Sequence, residues 1–329
     1  MVRCLLCPQG CRLGPGRTGV CRVRRREGER LYTLNYGRIS SLALDPIEKK
    51  PLYHFYPGGL ILSAGTTGCN LACGFCQNWE ISQEEAPTRA LAPGELIAIA
   101  RRETGRGNIG LAYTYSEPAV WWEFLMDTAP LAKEAGLANV MVTNGYLNQD
   151  PLAELLPFLD AVNMDLKGFC DDFYRRTCHG RLAPVLAFAE AVVAAGVHLE
   201  LTNLIIPGYN DGEEHLRALV AWVAGLDPCI PLHLSRYFPQ YRFTAPPTPV
   251  ETLERAFAIA REKLHHVYIG NAAVPDGRDT FCASCGAVLA RREGFETRLT
   301  GVENGKCKAC GSKAPFILDG NPGSTTRTS

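Results

Sequence analysis

Between residues 60 and 270 the chain alternates short apolar runs with longer stretches of helical period, and this alternation limits the fold more than any other feature. The apolar runs fall at 60–65, 109–114, 138–143, 161–166, 198–205 and 230–235. Short runs of this kind, separated by helical segments, mark βα units on a parallel sheet. Over 183–195 the residues Val185, Phe188, Ala189, Val192 and Val193 share one helical face, and Gly196 supplies the stop. Over 213–224, Leu216, Leu219, Val220 and Val223 form the same stripe ahead of Gly225. A further helix is expected over 117–135, kinked or divided by Pro130. Another near 250–264 leads to a strand-like run, Val267-Tyr268-Ile269. Six βα units do not close a full barrel, so the sequence predicts an α/β fold, a partly open (βα)6 barrel with helices outside. Ligands gather at the C-terminal ends of such strands.

The fourteen Cys form three groups, with Cys170, Cys178 and Cys229 standing alone. No apolar run reaches the roughly 18–20 residues that span a bilayer, and the first residues lack the apolar core of a signal peptide. A cytoplasmic location is expected, where thiols stay reduced and grouped Cys read as metal ligands. Lys+Arg and Asp+Glu balance at 34 each, so no global field favours nucleic acid or membrane. Residues 1–30 are locally basic, with eight Arg against two Glu. That arm either docks on an acidic partner or forms a solvated charged face.

The central group, Cys69, Cys73 and Cys76, follows the first strand in a C-x3-C-x2-C loop, Gly68-Cys69-Asn70-Leu71-Ala72-Cys73-Gly74-Phe75-Cys76. Three thiolates can hold three irons of a [4Fe–4S] cube and leave the fourth iron open to a substrate. The alternative is a zinc site completed by a distant His such as His54. Cys282, Cys285, Cys307 and Cys310 form a C-x2-C…C-x2-C pair with a Gly after each second Cys, the pattern of a structural zinc ribbon, with a second iron–sulfur cluster as the alternative. Cys4, Cys7, Cys11 and Cys21 give four ligands in a segment too small for a core of its own, and zinc stands slightly ahead of an auxiliary [4Fe–4S] cluster there. The domains expected are a Cys4 module over 1–30, a connecting segment 31–59, a barrel 60–271, a zinc-ribbon-like domain 272–318 and a disordered tail 319–329.

The central loop, with the aromatic Phe75 before its last Cys, resembles that of the radical S-adenosylmethionine (SAM) superfamily. The resemblance implies that SAM chelates the open iron, and that reductive cleavage yields methionine and a 5′-deoxyadenosyl radical that abstracts hydrogen. Tyr115-Ser116-Glu117-Pro118 stands where the superfamily carries Gly-Gly-Glu-Pro; Glu117-Pro118 matches and the two Gly do not, which implies that Glu117 receives the SAM amino group. Thr143-Asn144-Gly145 and Asp165-Leu166-Lys167 resemble segments of pyruvate formate-lyase activating enzymes, and Pro207-Gly208-Tyr209-Asn210-Asp211 resembles a loop after strand five. His233 matches a His at the end of strand six that touches the adenosyl part. The implied SAM-binding set is Glu117, Asn144, Asp165, Lys167 and His233.

Asp45-Pro46-Ile47-Glu48-Lys49-Lys50-Pro51-Leu52-Tyr53-His54-Phe55, Cys76-Gln77-Asn78-Trp79-Glu80-Ile81-Ser82 and Tyr268-Ile269-Gly270-Asn271 look like the AmmeMemoRadiSam-system radical SAM enzymes. That group implies Memo-like and AMMECR-domain proteins as partners, and an electron donor such as ferredoxin or flavodoxin. An activating enzyme acting on a protein is the first reading. Radical modification of RNA or a small molecule is the second, and a non-enzymatic metal-binding adaptor the third. Cys178, beside His179, is a candidate thiol hydrogen donor, although a buried Cys usually behaves as a small hydrophobe.

Overall fold

The computed structural model describes residues 1–318; the tail expected over 319–329 lies outside the described residues. The main sheet has eight strands lying side by side in chain order: β1 Ser41–Pro46, β2 Leu60–Gly65, β3 Asn108–Tyr113, β4 Ala138–Thr143, β5 Ala161–Asp165, β6 His198–Ile205, β7 Leu232–Arg236 and β8 Val267–Gly270. From β2 to β8 all neighbours are parallel, and β1 pairs antiparallel with β2. The helices are α1 Trp79–Gln83, α2 Pro93–Glu103, α3 Trp122–Glu134, α4 Gln149–Leu155, α5 Leu182–Ala194, α6 Glu213–Leu226 and α7 Val250–Arg261. Among the described residues, no helix is long and apolar enough to cross a membrane.

The helical stripes read from the sequence are the faces that pack. Val185, Phe188, Ala189 and Val192 of α5 and Leu216, Leu219, Val220 and Val223 of α6 are all buried. Each Val, Leu or Phe among them contributes about 1.5–3 kcal/mol. The six βα units are followed by β8, the strand-like run expected at 267–269, and β1 adds an antiparallel edge drawn from the segment 31–59. Two expectations are corrected. The division expected at Pro130 falls instead between the 3₁₀ turn Pro118–Trp121 and α3, which runs through Pro130. β7 begins at Leu232, after a Pro231 that has no N–H to give a ladder, so His233 is the second residue of its strand and not near its end.

The sheet curves around an interior filled from below. Ile61, Ala112, Ala138, Val140 and Ala161 enclose Ile47, Leu52 and Phe55 in one buried cluster. The small Ala side chains leave room for the segment 47–55, which plugs the barrel. Glu200 fastens that plug. Its carboxylate accepts hydrogen bonds from the Tyr53 amide (3.0 Å) and the His54 amide (2.7 Å), and it pairs with His198 Nε2 (3.0 Å) and His233 Nε2 (2.7 Å). Burial alone would raise the Glu200 carboxyl, but the bonds from His198 and His233 outweigh it and hold the group well below the usual carboxylate range.

The C-terminal region is a small antiparallel unit of Thr280–Phe281, Val288–Glu293 and Glu296–Leu299, followed by the pair Val302–Glu303 and Lys306–Cys307. It docks on the plug: the Ile317 amide donates to the His54 carbonyl at 2.8 Å, and Arg292 Nη2 donates to the Tyr53 carbonyl at 2.8 Å. A cavity here is bordered by His198, Leu199, Ile230, Pro231, Cys282 and Phe316, which places the unit at the N-terminal ends of the strands. That is the end of the barrel away from the central Cys loop.

Two buried imidazoles make this base acid-sensitive. Burial pushes His54 well below its usual value and His266 down to about 4. The unfolded chain takes up protons on these rings from the ordinary value of 6.5 downward, and the folded chain does not. Stability is thus complete above about pH 6.5 and falls toward pH 4. For His266 the loss by pH 4 is roughly 3 kcal/mol, since one pKa unit is about 1.4 kcal/mol. Urea unfolding at pH 7 and pH 4.5 should show this decline, with a flatter dependence in His266→Gln. Equal pH dependence in variant and wild type would exclude His266 as a source.

Two of the eight Arg of the basic arm are buried in the fold, while Arg3, Arg12, Arg17, Arg22 and Arg30 stay exposed. Arg24 and Arg26 are both 7% exposed. Arg24 pairs with Glu123 on α3 at 2.6 Å, and Arg26 donates to the Leu13 and Gly28 carbonyls and to Glu29. Arg22 bonds the Ser82 carbonyl and Gln83 Oε1.

Candidate active site

The central Cys loop leaves the C-terminal end of β2, and its conformation is fixed from three sides. Gly68 has φ +89°, and a Cβ there would stand 2.5 Å from the Cys21 carbonyl oxygen, so only Gly fits between the loop and the N-terminal segment. The Ala72 and Gly74 amides donate to the carbonyls of Cys178 and Thr177, at 3.0 and 3.1 Å, where a π-helical turn Tyr174–Cys178 ends. The Arg242 amide donates to the Gly74 carbonyl at 2.9 Å, and Phe75 packs between Phe173 and Phe243. Cys73 is buried, whereas Cys69 and Cys76 are partly exposed.

Glu117 sits at the end of β3 with 3% exposure. Its carboxylate accepts from the Ala119 amide (2.9 Å), Thr143 Oγ1 (2.6 Å) and the Asn144 amide (2.8 Å). Burial nonetheless pushes its carboxyl up to about 7. At neutral pH such a group is poised between acid and carboxylate, and an approaching ammonium settles it as the carboxylate. Its charge acts directly on Cys69. Asn144 Nδ2 bridges to Cys69 Sγ at 3.6 Å and to Asn70 Oδ1 at 2.9 Å. Lys167 Nζ bonds Asp165 Oδ2 at 3.0 Å. Burial would lower the Lys167 ammonium, but Asp165 and Cys73 hold it well above its usual value, fully charged.

The structure thus brings Cys69, Cys73, Cys76, Glu117, Asn144, Asp165 and Lys167 to one end of the sheet. His233 stands apart in its bonding. Register sets it level with Thr202 and thus with Asp165, but its Nε2 is committed to Glu200 and its ring lies edge-on to Tyr53 at 4.7 Å. Three contacts escaped the sequence reading. Thr143 anchors Glu117, and Cys178 lies with its thiol against Cys73. The third is a buried Lys50–Asp45 pair (2.7 Å) whose carboxylate also accepts from Tyr115 Oη at 2.5 Å. Only the sequence Asp45-Pro46-Ile47-Glu48-Lys49-Lys50 hinted at that pair.

The remaining Cys groups differ in geometry. Among the described residues only Cys282, Cys285, Cys307 and Cys310 bring ligand atoms within 4.8 Å of one another. Their Sγ···Sγ separations include 3.7 Å for Cys282–Cys310 and 3.8 Å for Cys285–Cys307. The sulfurs of Cys69, Cys73 and Cys76 do not gather in that way. A cube takes each thiolate at a different corner and does not need them drawn together around one ion.

Comparison with known proteins agrees with this geometry. The profile of the radical SAM superfamily matches residues 64–220. Those residues form a radical SAM domain. The chain as a whole shares a family with the uncharacterized protein MJ0808 of Methanocaldococcus jannaschii, to which it is 44% identical over 325 residues, 96% of each chain. It is 29% identical over 158 residues to the pyruvate formate-lyase-activating enzyme of Clostridium pasteurianum, covering 46% of this chain and 64% of that enzyme. Its fold is also that of a radical SAM methyltransferase from Sphaerobacter thermophilus (TM-score 0.53, 22% identity, 71% of each chain). Streptococcus suis SuiB bound to S-adenosylmethionine shares the fold too (TM-score 0.53, 14% identity, 69% of this chain and 53% of that one). A radical SAM domain implies a [4Fe–4S] cluster and SAM as cofactors.

Proposed function

We propose that Cys69, Cys73 and Cys76 hold the [4Fe–4S] cluster, that Glu117, Asn144, Asp165 and Lys167 hold SAM, and that the substrate is a protein. When bound, cluster and SAM supply reductive cleavage to methionine and a 5′-deoxyadenosyl radical that abstracts hydrogen. The chain's own residues do the positioning. Glu117, braced by Thr143 and the Asn144 amide, receives a cationic amino group. Lys167, kept charged beside Asp165, faces an anionic carboxylate. Asn144 donates to Cys69 Sγ and orients that ligand. The observation that carries this reading is the convergence of Cys69, Cys73 and Cys76 with Glu117 and Lys167 at one end of the sheet. We assign His233 to the packed base with Glu200 and leave it out of the SAM set.

A protein substrate is favoured over RNA because Arg24 and Arg26 of the basic arm are buried in ion pairs and carbonyl contacts, and the chain's net charge is zero. It is also favoured by the similarity to an enzyme named for activating pyruvate formate-lyase. Memo-like and AMMECR-domain proteins are the partners to try, with a ferredoxin or flavodoxin as electron donor. For the C-terminal group we propose structural Zn²⁺: a tetrahedral ion with Zn–S of about 2.3 Å separates its sulfurs by about 3.8 Å, which the Cys282 and Cys285 pairs match.

The test is anaerobic reconstitution with iron and sulfide, addition of SAM and dithionite, and quantification of methionine and 5′-deoxyadenosine. Deuterium should then pass from a labelled candidate protein into 5′-deoxyadenosine. A cluster-loaded enzyme that leaves SAM intact with every candidate partner would overturn the proposal.

A further inference from the structure

Four N-terminal thiols lie outside the site just described, yet the fold gathers them as deliberately. Antiparallel pairing of Val2–Arg3 with Arg12–Leu13 sets Cys4 beside Cys11, whose carbonyl accepts from the Cys4 amide at 2.8 Å. The turn between these strands carries Cys7, and a second turn, with Arg22 at φ +67°, returns Cys21 to the group. All four line one small pocket with Leu6, Leu13 and Val120. Cys7 interacts electrostatically with the other three. Backbone amides are already aimed at the sulfurs, from Gln9 toward Cys7 and from Val23 and Arg24 toward Cys21. Amide donors of this kind stabilise thiolates bound to iron–sulfur clusters.

Spacing decides which metal such a set can hold. A single tetrahedral zinc draws its four sulfurs to about 3.8 Å from one another. The C-terminal set has that geometry, at 3.7 and 3.8 Å, in the same chain. In the N-terminal set no such convergence exists: among the described residues the C-terminal Cys group alone falls within 4.8 Å. A [4Fe–4S] cube takes each thiolate on a different iron, and so needs its sulfurs farther apart around an apolar hollow. Neither the N-terminal four nor Cys69, Cys73 and Cys76 gather as the C-terminal set does.

We infer that Cys4, Cys7, Cys11 and Cys21 hold a second [4Fe–4S] cluster, in place of the zinc that the sequence slightly favoured. All four irons have a protein ligand, so this cluster has no open corner for SAM. Its location gives it a partner for one-electron exchange. The Cys21 carbonyl abuts Gly68, the residue before Cys69, and Gln9 Nε2 donates to the Asn70 carbonyl at 2.9 Å and the His179 carbonyl at 2.7 Å. The two Cys sets are therefore joined by direct backbone contact.

The experiment counts metal on the full-length chain reconstituted anaerobically with iron, sulfide and zinc. Wild type should hold about eight iron and eight sulfide atoms and about one zinc. A Cys69→Ala/Cys73→Ala/Cys76→Ala variant should keep about four iron atoms and an electron paramagnetic resonance signal after dithionite. Cys21→Ser in otherwise wild-type protein should lower the iron by about half and leave the zinc unchanged. An iron-free triple variant carrying about two zinc ions would overturn the inference. If instead the radical SAM reading failed, wild type and triple variant would carry the same iron, so the two failures are distinguishable. Should the triple variant not fold, the wild-type zinc count decides: about two zinc ions exclude the second cluster, and about one with eight iron atoms supports it.

Discussion

Replacing Cys73 by Ala should abolish 5′-deoxyadenosine formation and remove about four iron atoms per chain, while the protein stays folded. Cys73 is the middle ligand of a loop that cannot rearrange to replace it. The amides on either side of it, Ala72 and Gly74, are pinned to the Cys178 and Thr177 carbonyls, and a Cβ at Gly74 would already collide with Phe243 at 2.5 Å. The one thiol near enough to substitute is Cys178, which lies against Cys73 but outside the C-x3-C-x2-C spacing. The companion variant Cys178→Ala therefore discriminates. It should keep its iron and its SAM cleavage, because Cys178 is a fully buried side chain whose loss leaves three ligands in place. Iron content and 5′-deoxyadenosine measured on both variants check the assignment. Iron retained in Cys73→Ala and lost in Cys178→Ala would mean that the ligand set has been misassigned.

The contrast between these two thiols shows what could be read before the structure. The C-x3-C-x2-C loop is local, its three residues within eight positions, so spacing alone exposed it. Strands β2 to β7 were legible for the same reason: each is a short apolar run bounded by turn residues, and each was found within a few residues of its expected place. Glu117, Asn144, Asp165 and Lys167 were implied by the resemblance to radical SAM segments, and their order along successive strand ends is what a parallel sheet turns into proximity. The contacts missed are those between distant segments. Cys178 meets Cys73 only through the π-helical turn after β5. β1 reads Ser-Leu-Ala-Leu-Asp-Pro, too short and too polar at its end to announce itself, and it becomes a strand because β2 needs a partner on its open edge. The barrel plug was invisible for a deeper reason. Segment 47–55 is buried because Ala112, Ala138 and Ala161 leave space inside the barrel, and no local periodicity encodes a space. Sulfur spacing in the outer Cys groups is likewise a property of three dimensions, which is why the sequence left both metals open.

Glu200 is the sharpest case of a residue whose role only the fold reveals, and its removal should be the most damaging change outside the site. Glu200→Ala should destabilise the protein by about 3–5 kcal/mol, the range for stripping one partner from a buried charged network. The Tyr53 and His54 amides and the His198 and His233 imidazoles would all lose their acceptor in an interior where Glu200 itself has no exposure. Glu200→Gln should cost less, since its amide oxygen keeps part of the acceptor set, but its NH2 end turns a donor toward donors. Urea unfolding followed by circular dichroism measures both; a Glu200→Ala loss under about 1 kcal/mol would show that the plug holds without this carboxylate. The damage should also reach the far end of the barrel. The segment that Glu200 anchors contains Lys50, whose ammonium bonds Asp45 and lies 4.8 Å from the ring of Tyr115, two residues before Glu117. A loosened plug frees that buried pair, and Tyr115, held at φ +68° with its hydroxyl on Asp45, loses the contact that fixes the turn into Glu117. At urea concentrations where Glu200→Ala is still folded, its SAM cleavage should therefore fall along with its stability, whereas Glu200→Gln should retain most of both.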